Sequence, residues 1–117
     1  MQEQEILGKI RCEFERCMPL FIALGDEVRQ QIVLRLICAG CDGLRVGDIT
    51  QATRLSRPAI SHHLKILKNA GVVKVRRQGT MNFYYLDAET SLVDFGAMTD
   101  HIQALVEQRR EEMNSGR

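Results

Sequence analysis

The sequence has no tryptophan, only four phenylalanines and two tyrosines, and two prolines in 117 residues. Aromatic side chains therefore supply little of its interior. No apolar run approaches the roughly 20 residues that a helical membrane span needs. The N-terminus, Met1-Gln2-Glu3-Gln4-Glu5, is acidic and lacks the apolar stretch of a secretory signal. A cytosolic location is the expectation that follows. In that compartment, four cysteines read as thiols or ligands rather than as structural disulfides. The most informative absence is of charge of one sign: from Ile49 to Leu86 there is no aspartate or glutamate.

What is present fits one ordinary globular domain spanning 1–117. Apolar residues make up 44 % and charged residues 26 % of the chain. At this length, roughly two thirds of the unfolded surface can be buried. The net charge is only +1, but the acid-free stretch carries seven basic residues: Arg54, Arg57, Lys65, Lys68, Lys74, Arg76 and Arg77. All 15 acidic residues lie outside it, with the other nine basic ones. Positive charge concentrated in a third of a nearly neutral chain is the footprint of a phosphate-binding surface.

Periodicity gives the order of elements. Residues 3–18 read as an amphipathic helix, with Ile6, Ile10, Phe14, Cys17 and Phe21 at helical spacing and Pro19 as its end or kink. Asp26 caps a second helix, 27–39, whose apolar face is Val28, Ile32, Leu36 and Ile37 and whose stop is Gly40. Residues 41–45 form a turn. A short helix over 46–53 points Ile49 inward. Ser56 caps the next helix, with Pro58 in its first turn, Ile60, Leu64 and Leu67 inward, and Gly71 as its stop. Two short helices joined by a tight turn, about 46–70, make a helix-turn-helix. Val72 to Arg77 and Met81 to Leu86 are β-prone runs on either side of Gln78-Gly79-Thr80, a hairpin over about 72–86. A last helix over 91–112 aligns Leu92, Phe95, Met98, Ile102, Leu105 and Val106, and residues 114–117 fray. The expected fold is mainly α with a small β-hairpin: a winged helix-turn-helix of five helices, the wing lying between the fourth and the last.

Ser56 to Gly71 carries the chemistry. One face is apolar; the other offers Arg57, Ser61, His62 and Lys65 without a carboxylate. A helix laid in the major groove of double-stranded DNA needs short polar groups near its N-terminal end to reach base edges. Ser56, Arg57, Ser61 and His62 are the expected first contacts, with Pro58 beside them, and Lys65 and Lys68 are expected to meet phosphates. His63 faces elsewhere, and the wing is its expected partner. The hairpin adds Lys74, Arg76, Arg77, Gln78 and Asn82 for the flanking backbone or the minor groove.

Three strings carry a resemblance: Ala23-Leu24-Gly25-Asp26-Glu27-Val28-Arg29, Ser61-His62-His63-Leu64-Lys65-Ile66-Leu67, and Ala70-Gly71-Val72-Val73, with Tyr84-Tyr85-Leu86 closing the wing. Over roughly residues 20–87 the chain resembles the ArsR/SmtB family of winged-helix repressors. The resemblance implies a homodimer joined through its first and last helices, about 3–18 and 91–112. It also implies a sequence-specific regulator that represses a nearby operon until an inducer weakens its grip on DNA. The wide apolar stripes of the two terminal helices point to the same dimer.

The inducer is less legible. In the family, an arsenic-type site places a Cys-Val-Cys pair at the start of the first helix of the helix-turn-helix; Arg45 and Gly47 stand there. A zinc-type site uses Asp-x-His early in the last helix and a histidine pair later. Ala88 and Thr90 fall at the early positions, and only His101 remains of the pair. The thiol candidates are Cys12, Cys17, Cys38 and Cys41. Cys38-Ala39-Gly40-Cys41 has a spacing able to hold a soft metal ion or to react with a thiol oxidant. Cys12 and Cys17 point about 140° apart on a helix. A metal or redox sensor of the same fold is thus one alternative, and a winged helix used for protein contacts another. A redox enzyme is disfavoured, because the C-x-x-C ends a helix, where the dipole opposes a thiolate. No enzymatic activity is expected.

Overall fold

A computed structural model describes residues 2–116. Its elements are α1 (Glu3–Leu24), α2 (Glu27–Ala39), a 3-10 turn (Gly40–Asp42), α3 (Val46–Thr53), α4 (Arg57–Asn69), β1 (Val73–Gln78), β2 (Met81–Leu86) and α5 (Glu89–Asn114). The chain divides into two compact units. One is Pro19–Glu89; the other joins the residues up to Met18 with those from Thr90 onward.

In the Pro19–Glu89 unit the local signals act as read. The Asp26 carboxylate accepts the Arg29 backbone N–H at 3.0 Å and starts α2. Gly40 ends α2 with φ +66, a conformation that favours glycine. Ser56 Oγ accepts the Ala59 N–H and starts α4, with Pro58 in the first turn. Arg54 closes α3 in the left-handed region, φ 62, making the tight connection between the two helices. Ile32 and Leu36 of α2, Ile49 of α3, and Ile60, Leu64 and Leu67 of α4 form one buried cluster with Leu20, Ala23, Val72 and Val73. Burying each large aliphatic side chain is worth about 1.5–3 kcal/mol, so this cluster fixes how α4 is presented. β1 and β2 pair antiparallel, with Arg77 opposite Asn82 and Arg76 opposite Phe83.

In the other unit α1 and α5 run antiparallel. The order of their ion pairs shows it: Glu3 with Arg109, Glu13 with His101, Arg16 with Asp94. Glu13, 4 % exposed, places both carboxylate oxygens 2.9 Å from His101 Nδ1. Ile6, Cys17, Met98 and Leu105 are buried.

The structure corrects several expectations. Pro19 does not end α1, which continues to Leu24; the ring is exposed, and the missing N–H removes one helix bond without breaking the run. Ile37 is not in the core. It sits 100° around the helix from the fully buried Leu36 and is 54 % exposed. The 41–45 segment is more than a turn: after the 3-10 turn, Leu44 bridges Tyr84 through two N–H···O bonds of 2.8 Å. Gly43, φ +72, lies so close to the Tyr84 carbonyl that a Cβ there would collide with it. Val72 precedes β1 because its N–H still bonds the Leu67 carbonyl at the end of α4. α5 is longer than 91–112, and of its expected apolar face Leu92, Phe95 and Val106 are exposed. Helix reaches Asn114, so the expected fraying applies to at most the last three residues, of which Arg117 lies outside the described ones.

Candidate nucleic-acid interface

The outer face of α4 follows from what its inner face does. With Ile60, Leu64 and Leu67 at 0–1 % exposure, helical geometry turns Arg57, Pro58, Ser61, His62, Lys65 and Lys68 outward, and all six are exposed. Ser56 is exposed at the cap. The first turn holds no acid, so the positive end of the helix dipole adds to Arg57 instead of being neutralised. Arg57 reaches back over α3: a Cβ added at Gly47 would stand 3.2 Å from its terminal nitrogen.

The wing divides its cations. Side chains alternate across a strand, so Arg76 and Arg77 leave opposite faces of β1. Arg77, Gln78 and Asn82 are exposed at the tip, and Arg77 Nε donates to the Gly79 carbonyl at 3.2 Å. Arg76 turns the other way. It donates to the Cys41 and Asp42 carbonyls, each at 3.1 Å, and lies 5.4 Å from the centre of the Phe83 ring. Lys74, on the Arg76 face, pairs with Asp87 at 2.9 Å. That hydrogen bond holds the Asp87 carboxyl below the usual carboxylate range and pushes Lys74 up. Two of the seven cations thus have partners within the fold.

His63 meets Arg29 of α2. Its Nδ1 lies 3.3 Å from Arg29 Nη1. A guanidinium only donates, so in this contact Nδ1 is the acceptor. Arg29 also donates to the Ala23 and Ile22 carbonyls at 2.6 and 3.1 Å, capping the C-terminal end of α1 and linking it to α4. The sequence reading missed Arg29; the only signal was its place three residues after the cap Asp26.

The cysteines differ in exposure. Cys12, Cys38 and Cys41 are exposed and Cys17 is buried, its thiol pushed up chiefly by desolvation. Among the described residues no three His, Cys, Asp or Glu side chains are grouped to hold a metal ion. No helix among them is long and apolar enough to cross a membrane.

Two helices at a tight turn, the second presenting an acid-free cationic face beside a β-hairpin, define a winged helix-turn-helix DNA-binding module. Residues 26–75 match the family model of the bacterial regulatory proteins of the ArsR family. An uncharacterised helix-turn-helix-type transcriptional regulator from Methanocaldococcus jannaschii is 42 % identical over 74 residues, covering 63 % of this chain and 81 % of that protein. The transcriptional repressor SdpR of Bacillus subtilis is 40 % identical over 68 residues, 58 % of this chain and 72 % of that one. The structure of an ArsR-like transcriptional regulator from Rhodococcus sp. RHA1 superposes with a TM-score of 0.72 at 24 % identity, covering 86 % and 91 % of the two chains, a likeness of fold. The chain belongs to the ArsR family and is a DNA-binding transcriptional regulator.

Proposed function

We propose that the protein is a cytoplasmic homodimeric repressor that holds an inverted-repeat operator with two α4 helices in successive major grooves, roughly 34 Å apart. The observation that carries this reading is the face of α4: seven exposed positions, Ser56, Arg57, Pro58, Ser61, His62, Lys65 and Lys68, behind which the apolar residues are fully used. Arg57, Ser61 and His62 discriminate bases, Ser56 and Pro58 approach the backbone, and Lys65 and Lys68 neutralise phosphates. Arg77, Gln78 and Asn82 reach the flanking duplex from the wing tip. Arg76, tied to two carbonyls, holds the wing in place instead of contacting DNA.

Dimerisation falls to the α1–α5 unit. Met18, Leu92, Val93 and Val106 are exposed there, Leu92 at 58 % and Val93 at 66 %. Large aliphatic side chains this open are what a helix-on-helix interface would cover.

Fluorescence anisotropy on the chain's own upstream DNA and on a scrambled duplex tests the reading. A preference of at least ~10³-fold for the upstream duplex is expected. Equal binding to both would remove the specific-operator claim, and no binding at low salt would remove the DNA-facing assignment altogether.

A further inference from the structure

Away from the α4 face, the Pro19–Glu89 unit contains a cavity of about 560 Å³ between the C-terminal end of α2, the 3-10 turn and the base of the hairpin. We propose that it binds a small, largely apolar organic anion, an aromatic or branched aliphatic carboxylate, and that occupancy adjusts DNA binding through the wing. The second half rests on the regulator reading above; the first does not.

The volume lies within the range of small-molecule sites, which pair apolar walls with a few fixed polar groups. Leu36, Ile37 and Tyr85 supply the walls, with Cys41 beside them. Ile37 is the odd residue: it stands open to solvent at this rim, next to the fully buried Leu36. The charge of the lining is settled by the pairs already formed. Asp87 lines the cavity but is neutralised by Lys74 at 2.9 Å. Arg76 bonds the carbonyls of Cys41 and Asp42 and has no carboxylate partner among the described residues. A guanidinium has five N–H donors, and its two bonds to these carbonyls leave others for an occupant. Its plane suits a carboxylate, and its position over Phe83 holds it ready.

Position gives the cavity its leverage. Arg76 ties the wing to the 3-10 turn. Two residues beyond that turn, Leu44 bridges Tyr84 of the wing and leads into α3. An anion that shares the Arg76 guanidinium with the two carbonyls alters their hold on it and so has different affinities for the tied and released arrangements, the condition for any ligand to shift an equilibrium.

The test uses the full chain, labelled with ¹⁵N and titrated with 1-anilinonaphthalene-8-sulfonate, an apolar anion of suitable size. Saturable amide shifts are expected at Ile37, Cys41, Arg76 and Tyr85. Both Arg76→Gln and Ile37→Glu should weaken them by about tenfold or more; the second variant sits at an exposed position and leaves the wing's bonds intact. Shifts confined to α1 and α5, or no saturation, would overturn the site. Equal binding of N-phenyl-1-naphthylamine, which lacks the sulfonate, would overturn the anion. Probe bound at the cavity with unchanged affinity of the protein for DNA would overturn the regulatory half. If the protein binds no DNA at all, the regulator reading fails while the amide shifts still decide the site.

Discussion

Replacing Lys65 and Lys68 together with alanine isolates the sequence-independent part of DNA binding. Of the seven cations between Ile49 and Leu86, Lys74 is paired with Asp87 and Arg76 with two carbonyls. Arg54, Arg57, Lys65, Lys68 and Arg77 are exposed and have no carboxylate partner among the described residues. Three or four phosphate contacts per protomer make about six to eight in a dimer, hence a log–log salt slope of about −5 to −7. The double variant removes four contacts from the dimer and should bring the slope to about −2 to −4. Between 50 and 200 mM salt the parent should lose about 10³–10⁴-fold in affinity and the variant about 10–10²-fold. Both positions are exposed on a helix and alanine is a good helix former, so circular dichroism should register no change. Anisotropy across a salt series reads the slopes. An unchanged slope would refute the placement of these lysines on phosphate. A parent slope near −13 would mean that Lys74 and Arg76 leave their partners and join the interface.

Arg57→Ala should cost about 1–3 kcal/mol on the operator and relax its base preference, whereas Arg77→Ala should weaken operator and scrambled duplex alike; the ratio of the two affinities separates these outcomes. Ser56→Ala removes the cap of α4 and should lower unfolding stability by about 1 kcal/mol in urea titrations, with Ser56→Asp restoring it. Arg29→Ala strips the α1 carbonyls and His63 of their donor and should cost about 1–3 kcal/mol by the same measurement. The Arg29 N–H bond depresses the Asp26 carboxyl, so its stabilisation is complete above the ordinary carboxylate range and disappears as pH falls through the lower folded value. Urea midpoints from pH 6 to pH 2 should show the parent losing stability relative to Asp26→Asn, and parallel curves would contradict the linkage.

The elements legible in the sequence are those set by local rules. Asp26, Gly40 and Ser56 mark helix ends because capping involves neighbours three or four residues away, and each stands where it was expected. The inward face of α4 was equally plain, since Ile60, Leu64 and Leu67 repeat with the helical period. What escaped depends on distant partners. Nothing near Leu44 announces that it will bridge Tyr84, 40 residues on, and nothing beside His63 announces Arg29. The terminal helices show the limit of periodicity: an apolar stripe marks a surface to be covered without saying by what. That is why Leu92 and Val106 were assigned to one face with Met98 and Leu105, yet only the latter two are buried.

The wing shows why counting charge is not enough to define a nucleic-acid surface. Arg76 and Arg77 are adjacent, and both belong to the acid-free stretch. A β-strand nevertheless sends them to opposite faces, one to backbone carbonyls and an aromatic ring, the other to the exposed tip. Arg76 is thereby a mechanical residue. The hairpin is two-stranded, a form that is marginal in isolation. Val73 anchors its base in the core, and the Leu44 bridge, the Arg76 bonds and the Lys74–Asp87 pair fasten the rest. These three polar attachments are partly exposed, so each can be exchanged for a ligand or a solvent contact at low cost. A wing fastened in this way is stable enough to be presented to DNA and loose enough to respond to what binds beside it. Arg76→Gln should therefore raise amide hydrogen exchange in β1 and β2 while leaving α4 protected. Equal exchange in both strands before and after the substitution would show that the hairpin is held without the Arg76 bonds.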